Sequence, residues 1–87
     1  MAALKLGLAQ GYWGAAPQPN FVEMAQEAEK LGYDSVWSAE TWGNDAFTPL
    51  AWIGANTETI KLGTAVVQLS GRTPTSCAMH ALTLDML

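Results

Sequence analysis

The stretch SVWSAETWGNDAFTPLAWIGANTETIKLGTAVVQ, residues 35–68, decides the fold because its hydrophobic period changes twice. Ser35-Val36-Trp37-Ser38-Ala39 is a short run with β-favouring Val and Trp and fits a strand. A polar loop ends it. Thr48-Pro49 then pairs an N-cap candidate with proline at the first helical position, where its missing N–H costs nothing, and Leu50, Ile53 and Thr57 continue one helical face. Ile60 to Gln68, reading IKLGTAVVQ, is rich in β-branched and aliphatic residues and fits the next strand.

The same grammar extends in both directions. Upstream, Leu4, Leu6 and Leu8 alternate against Lys5 and Gly7 in LKLGLAQ, which suits a strand over Leu4 to Gln10. After a Gly/Pro-rich turn, Phe21, Met24, Ala25, Ala28 and Leu31 recur at helical spacing. Asn20 with Glu23 three residues on reads as N-cap and reciprocal partner, and Gly32 as the left-handed stop. Downstream, Thr73-Pro74 repeats the Thr-Pro helix start, and Ala78, Ala81, Leu82 and Leu84 are expected to line that third helix.

The order is therefore βαβαβα, which implies a parallel sheet with each helix on its outer side. Open doubly wound sheets and (β/α) barrels both satisfy that rule. The first turn, Gly11-Tyr12-Trp13-Gly14, is not G-x-G-x-x-G and is parted from the first helix by Pro17 and Pro19. That argues against the open dinucleotide-binding fold and for an α/β barrel of TIM type, present as its first three βα units.

Composition narrows the function. With 87 residues the chain holds one folding unit, and a net charge of -4 from only four Lys and Arg argues against a nucleic-acid partner. Lys5, Lys30, Lys61 and Arg72 never cluster. No apolar run approaches the ~20 residues that span a bilayer, so no membrane partner and a cytoplasmic location are expected. The lone Cys77 forms no internal disulfide.

Three segments, LGLAQGYWG, AQEAEKLGYDSVWSAETWGNDAFTPLAWIGANT and IKLGTAVVQLSGRTPTSCAMHALTLDML, together resemble the luciferase-like oxidoreductases, in particular an actinobacterial branch that depends on deazaflavin. The resemblance covers nearly the whole chain. It implies an eight-stranded barrel of about 250 residues, of which residues 1–87 would be a single partial domain, the N-terminal third. It implies coenzyme F420, a 5-deazaflavin, with FMN as the alternative, and hydride transfer to or from a small organic substrate; the FMN relatives use oxygen. No metal is implied.

Barrel chemistry sits at the carboxyl ends of the strands, which points to Gln10 to Pro19, Glu40 to Phe47 and Gln68 to Thr73. The resemblance puts Glu40 beside the deazaflavin ring; the alternative is that Glu40 caps its loop through backbone N–H groups. Thr41 departs from the pattern, standing where the family's sugar-phosphate dehydrogenases carry an acid-base His, and its hydroxyl does not titrate near neutrality. Thr64, Ala65 and Val66 fall where family members have a bulge with a non-prolyl cis peptide under the ring, by alignment Ala65-Val66. Such a bond costs about 3 kcal/mol or more, so trans is the default. Trp13 and Trp42, and less so Tyr12, are candidates for the wall of a substrate pocket or for loop anchors.

Trp37 and Trp52 are expected in the core, and Arg72 is read as a solvated loop charge rather than an anion ligand. Cys77 and His80 lie three apart on one helix, and packing is preferred there over metal ligation. A three-stranded arc leaves strand edges and an apolar face unprotected, so self-association or a complementing chain is expected, and the fragment alone is expected to lack activity.

Overall fold

The computed structural model describes residues 4–11, 13, 16, 18–40 and 43–87. It contains β1 (Gly7–Gly11), α1 (Phe21–Lys30), β2 (Ser35–Ala39), α2 (Phe47–Ala55), β3 (Lys61–Val66), a 3-10 turn (Leu69–Gly71) and α3 (Pro74–Met86). The three strands form one parallel sheet in the order β1-β2-β3. Strand order follows chain order, as it does around a (β/α) barrel and equally within one half of a doubly wound sheet.

The core lies on one face of this sheet. Ala25 and Ala28 of α1 pack with Val36 of β2, Ile53 of α2 and Ile60, and Leu8, Phe21, Tyr33 and Leu62 close the edges of the cluster. Two helices share this one sheet face, as consecutive right-handed crossovers between neighbouring strands require, with Val36, Leu50 and Ile53 fully buried. Each such aliphatic side chain stabilises the fold by about 1.5–3 kcal/mol through apolar burial.

The helix ends depart from the sequence expectation in instructive ways. Asn20 has a left-handed backbone (φ 60°) and its side chain caps nothing; Gly32, at φ 85°, does provide the stop after α1. α2 begins at Phe47, one residue before the expected Thr48 cap. Its N-cap residue is Ala46, and the carboxylate of the preceding Asp45 serves the free N–H groups: Oδ2 accepts from the N–H of Phe47 (3.1 Å) and Thr48 (2.9 Å) and from the Thr48 hydroxyl (3.0 Å). Pro49 then sits in the first turn, where its missing donor is harmless. For α3 the Thr-Pro signal holds: Thr73 Oγ1 accepts from the Ser76 N–H at 3.0 Å.

α3 buries none of its described residues. Ala78, Ala81 and Leu82 are exposed and Leu84 half-buried, rather than lining a packed face. A groove of about 1070 Å³ separates α3 from α2 and β3. A barrel helix packs across two adjacent strands, and β3 has no neighbour on this side, so α3 has only half its seat. Trp52 is 63% exposed on α2, against the core position expected for it.

Candidate active site at the strand ends

β2 ends at Ala39, and the next residue, Glu40, turns a carboxylate into the junction of two loops. The side chain is 4% exposed. Its Oε1 accepts from the Gln68 N–H at 2.9 Å and from Arg72 Nε at 3.0 Å. Its Oε2 accepts from the Ala46 N–H at 2.8 Å and from Arg72 Nη2 at 2.9 Å. The hydrogen bonds from Arg72, joined by those from Gln68 and Ala46, outweigh burial and hold the Glu40 carboxyl down at about 2, so it is ionised throughout the neutral range.

Arg72 reaches this point from the loop between β3 and α3, and it is no solvated charge. Its side chain is 15% exposed, the guanidinium carbon lies 5.0 Å from the centre of the Phe47 ring, and Nη2 is 3.5 Å from Asp45 Oδ2. A bidentate fork on a carboxylate with an aromatic neighbour is what a planar guanidinium provides and an ammonium does not. The Glu40 bonds raise the affinity of the guanidinium for its proton.

The sheet face turned away from the helices is built differently. Trp37 lies on it, 41% exposed, across the strands, rather than in the helix-side core, and its indole N–H donates to Ser35 Oγ at 2.8 Å. The neighbouring strands carry glycine where the ring passes. A Cβ at Gly63 would come within 2.6 Å of Trp37 Cζ3, and one at Gly7 within 3.0 Å of Nε1. Beyond the indole toward the strand ends, Ala65 is the extra residue of a bulge: Ser38 pairs with Thr64, but Ala39 pairs with Val66. Ala65 and Val66 are both exposed. No cis peptide bond occurs among the described residues. The bulge expected at this place is present, with the trans bond.

Thr64 stands apart from these two. It lines the α2–α3 groove with Leu50, Leu62 and Leu84, on the helix side of the sheet, so the structure does not bring it to the face that carries Ala65. Trp13 is half-buried; its backbone N–H donates to Asn44 Oδ1 at 2.9 Å and its ring meets Phe21 edge-on at 4.9 Å. That geometry anchors the first loop to the second. Among the described residues, Trp13 Nε1 and Gln10 Oε1 are buried without partners. Tyr12, Thr41 and Trp42 lie outside the described residues. His80 stacks on Phe47 at 5.1 Å with its Nδ1 2.7 Å from the Ser76 carbonyl, and no group of three metal-binding side chains occurs among the described residues.

The cations are unevenly placed. Lys5 precedes β1, Lys30 closes α1, and Lys61 opens β3 and pairs with Asp34 at 3.7 Å, all at the end of the sheet opposite Glu40. The fourth, Arg72, is engaged with Glu40. Among the described residues, the strand-end face therefore carries the exposed Ala65 and Val66 at a bulged backbone, and the cation at that end, Arg72, is engaged with Glu40.

The model of the luciferase-like monooxygenase family matches residues 5–87. The chain belongs to the luciferase-like monooxygenase family. Its three βα units are accordingly part of a barrel of TIM type, which accounts for two helices on one sheet face and an open opposite face. Over 86 residues it is 59% identical to a Mycobacterium tuberculosis (strain ATCC 25618 / H37Rv) protein named "Putative coenzyme F420-dependent oxidoreductase Rv3520c". That alignment takes in 99% of the chain and 25% of the mycobacterial protein, so the chain spans about a quarter of that relative's length. No helix among the described residues of this luciferase-like chain is long and apolar enough to cross a membrane.

Sequence reasoning missed the Glu40–Arg72 pair and the Asp45 cap. A usable signal existed for both. Glu40 directly follows β2 and Arg72 lies in the loop after the adjacent parallel β3, and Asp45 stands two residues before the first helical residue, Phe47, within reach of its free N–H groups.

Proposed function

We propose that the chain is the amino-terminal part of a deazaflavin-dependent oxidoreductase that holds coenzyme F420 against the strand-end face of its sheet for hydride transfer with a small organic substrate. Support for the coenzyme comes from the mycobacterial relative's name, and support for the place comes from one observation. Beyond Trp37 toward the Glu40–Arg72 pair, Ala65 and Val66 stand exposed at a bulge, a backbone surface against which a planar tricycle can lie. When bound, the coenzyme supplies two-electron hydride chemistry at its ring carbon, and the protein supplies orientation and shielding.

In this reading Trp37 bounds the ring from the side of the barrel interior, Ala65 and Val66 offer backbone beneath it, and Glu40 holds the rim. Trp13 ties the first loop to the second, which keeps the mouth in shape. Thr41, directly after Glu40, has no group that titrates near neutrality, so a hydride transfer here takes its proton from another residue or needs none. The anionic tail of the coenzyme likewise finds its cations elsewhere, since the lysines stand at the far end of the sheet and Arg72 is engaged. The placement of the cations calls for a complement to these 87 residues, by continuation of the barrel or by another chain.

Titration of the purified chain with oxidised coenzyme F420 and, separately, FMN, followed by cofactor fluorescence, tests this. Saturable binding of the deazaflavin in preference to FMN is expected. Preference for FMN would move the chain to the oxygen-using side of the family, and binding of neither would defeat the proposal that these three units shape the site.

A further inference from the structure

Both ends of β3 are tied by a carboxylate that gathers backbone N–H groups. At the entry, Glu29 of α1 accepts with Oε2 from the N–H groups of Glu58 (2.9 Å), Thr59 (2.6 Å) and Ile60 (2.9 Å). At the exit, Glu40 grips the strand twice: its own N–H donates to the Val66 carbonyl at 3.1 Å, and its Oε1 accepts from the Gln68 N–H at 2.9 Å. The bulged Ala65 immediately precedes the gripped segment. A bulge leaves one residue out of the ladder, so its backbone direction depends on what fixes the residues after it.

The Glu40 carboxylate is saturated. Two backbone donors and the Arg72 fork take both oxygens, and the side chain is 4% exposed. A carboxylate so engaged does not reach a ligand ring without breaking a buried ion pair. We infer that Glu40 is a positioning residue, which acts on a ligand at the strand ends by fixing the Ala65–Gln68 backbone and makes no contact with it, with Arg72 as the counter-ion that keeps the clamp closed. This rests on the proposed function for the existence of the ligand, and replaces the direct ring contact that the family resemblance implies for Glu40. Glu29 performs the same kind of tie at the end of the sheet where no ligand is placed, and so serves as the internal control.

The test compares the unaltered chain with Glu40→Gln, Arg72→Lys and Glu29→Gln by amide hydrogen exchange without ligand and by coenzyme F420 titration. Glu40→Gln is expected to speed exchange at Val67 and Gln68 about tenfold or more and to weaken coenzyme affinity about fivefold or more. Arg72→Lys, which keeps the charge but loses the fork, is expected to move both readouts in the same direction, and it serves in place of Glu40→Gln should that variant not fold. Glu29→Gln is expected to speed exchange at residues 58–60 and leave affinity within about twofold. Weaker binding with unchanged exchange at Gln68 would mean direct contact and would overturn the inference. Faster exchange with unchanged affinity would make the clamp mere scaffold and overturn it equally. If the unaltered chain binds no coenzyme, the proposed function falls and the positioning role falls with it, while the exchange data still report the clamp itself.

Discussion

Arg72 places its guanidinium across both oxygens of Glu40, Nε to Oε1 at 3.0 Å and Nη2 to Oε2 at 2.9 Å, and so bolts the loop after β3 to the loop after β2. Removing one partner strands a buried charge. Arg72→Met is expected to cost about 3–5 kcal/mol in urea unfolding, because the Glu40 carboxylate is left without its counter-ion. The Glu40→Gln, Arg72→Met double variant is expected to cost clearly less than the sum of the two single changes. Additive losses would show that the pair does not act as a unit.

The same pair fixes an acid limb. The Glu40 carboxyl is held at about 2 when folded against 4.5 ordinarily, so its contribution is complete above 4.5 and is lost as pH falls from there toward 2. Glu29 is lowered in the same direction by the N–H groups of Thr59, Ile60 and Glu58, but it is solvent-screened and weighs less. Urea midpoints of the unaltered chain and of Glu40→Gln are expected to differ near neutrality and to converge in that acid window. Parallel curves would contradict the assignment.

Trp37 and Gly63 form a second coupled pair. A methyl group at residue 63 would meet the indole at 2.6 Å, so the ring must leave its place across the strand to admit it. Gly63→Ala is expected to destabilise by about 1–3 kcal/mol, and to cost much less when Trp37 is already Ala. Chemical denaturation of the four-member cycle measures this, and an equal cost in both backgrounds would refute the cradle.

The two N-termini read alike in sequence and behave differently. Thr73→Ala removes a formed cap and is expected to cost about 1 kcal/mol. Asn20→Gly removes no cap and relieves a left-handed backbone at φ 60°, so it is expected to be neutral or slightly stabilising. Thermal midpoints of the two variants decide; a comparable loss at Asn20 would mean that its side chain works in a way the structure does not display.

How far the sequence carries follows from these particulars. Period changes placed all three strands and all three helices, because buried periodicity is a local signal, and Gly32 marked the end of α1 for the same reason. Strand limits shifted, with β1 running Gly7–Gly11 instead of Leu4 to Gln10, since Leu4 and Leu6 find no partner surface in this chain and remain exposed. Trp37 was misplaced because alternation tells which residues share a face but not which face the helices cover. Arg72 was misread because its partner is thirty-two positions away, and only the parallel register brings two strand ends together. Thr64 was grouped with Ala65 and Val66 through the family resemblance, and the bulge at Ala65 separates the register positions of Thr64 and Val66.

The central claim is that the strand-end face receives the deazaflavin ring, and the most direct test is an amide NMR spectrum of the isotope-labelled chain recorded with and without coenzyme F420. Shifts are expected at Gly63 to Gln68, at Glu40 and at the Trp37 indole N–H, with Glu58 to Lys61 unmoved. Shifts confined to the α2–α3 groove or to the Glu58–Lys61 end, with Gly63 to Gln68 unchanged, would contradict it.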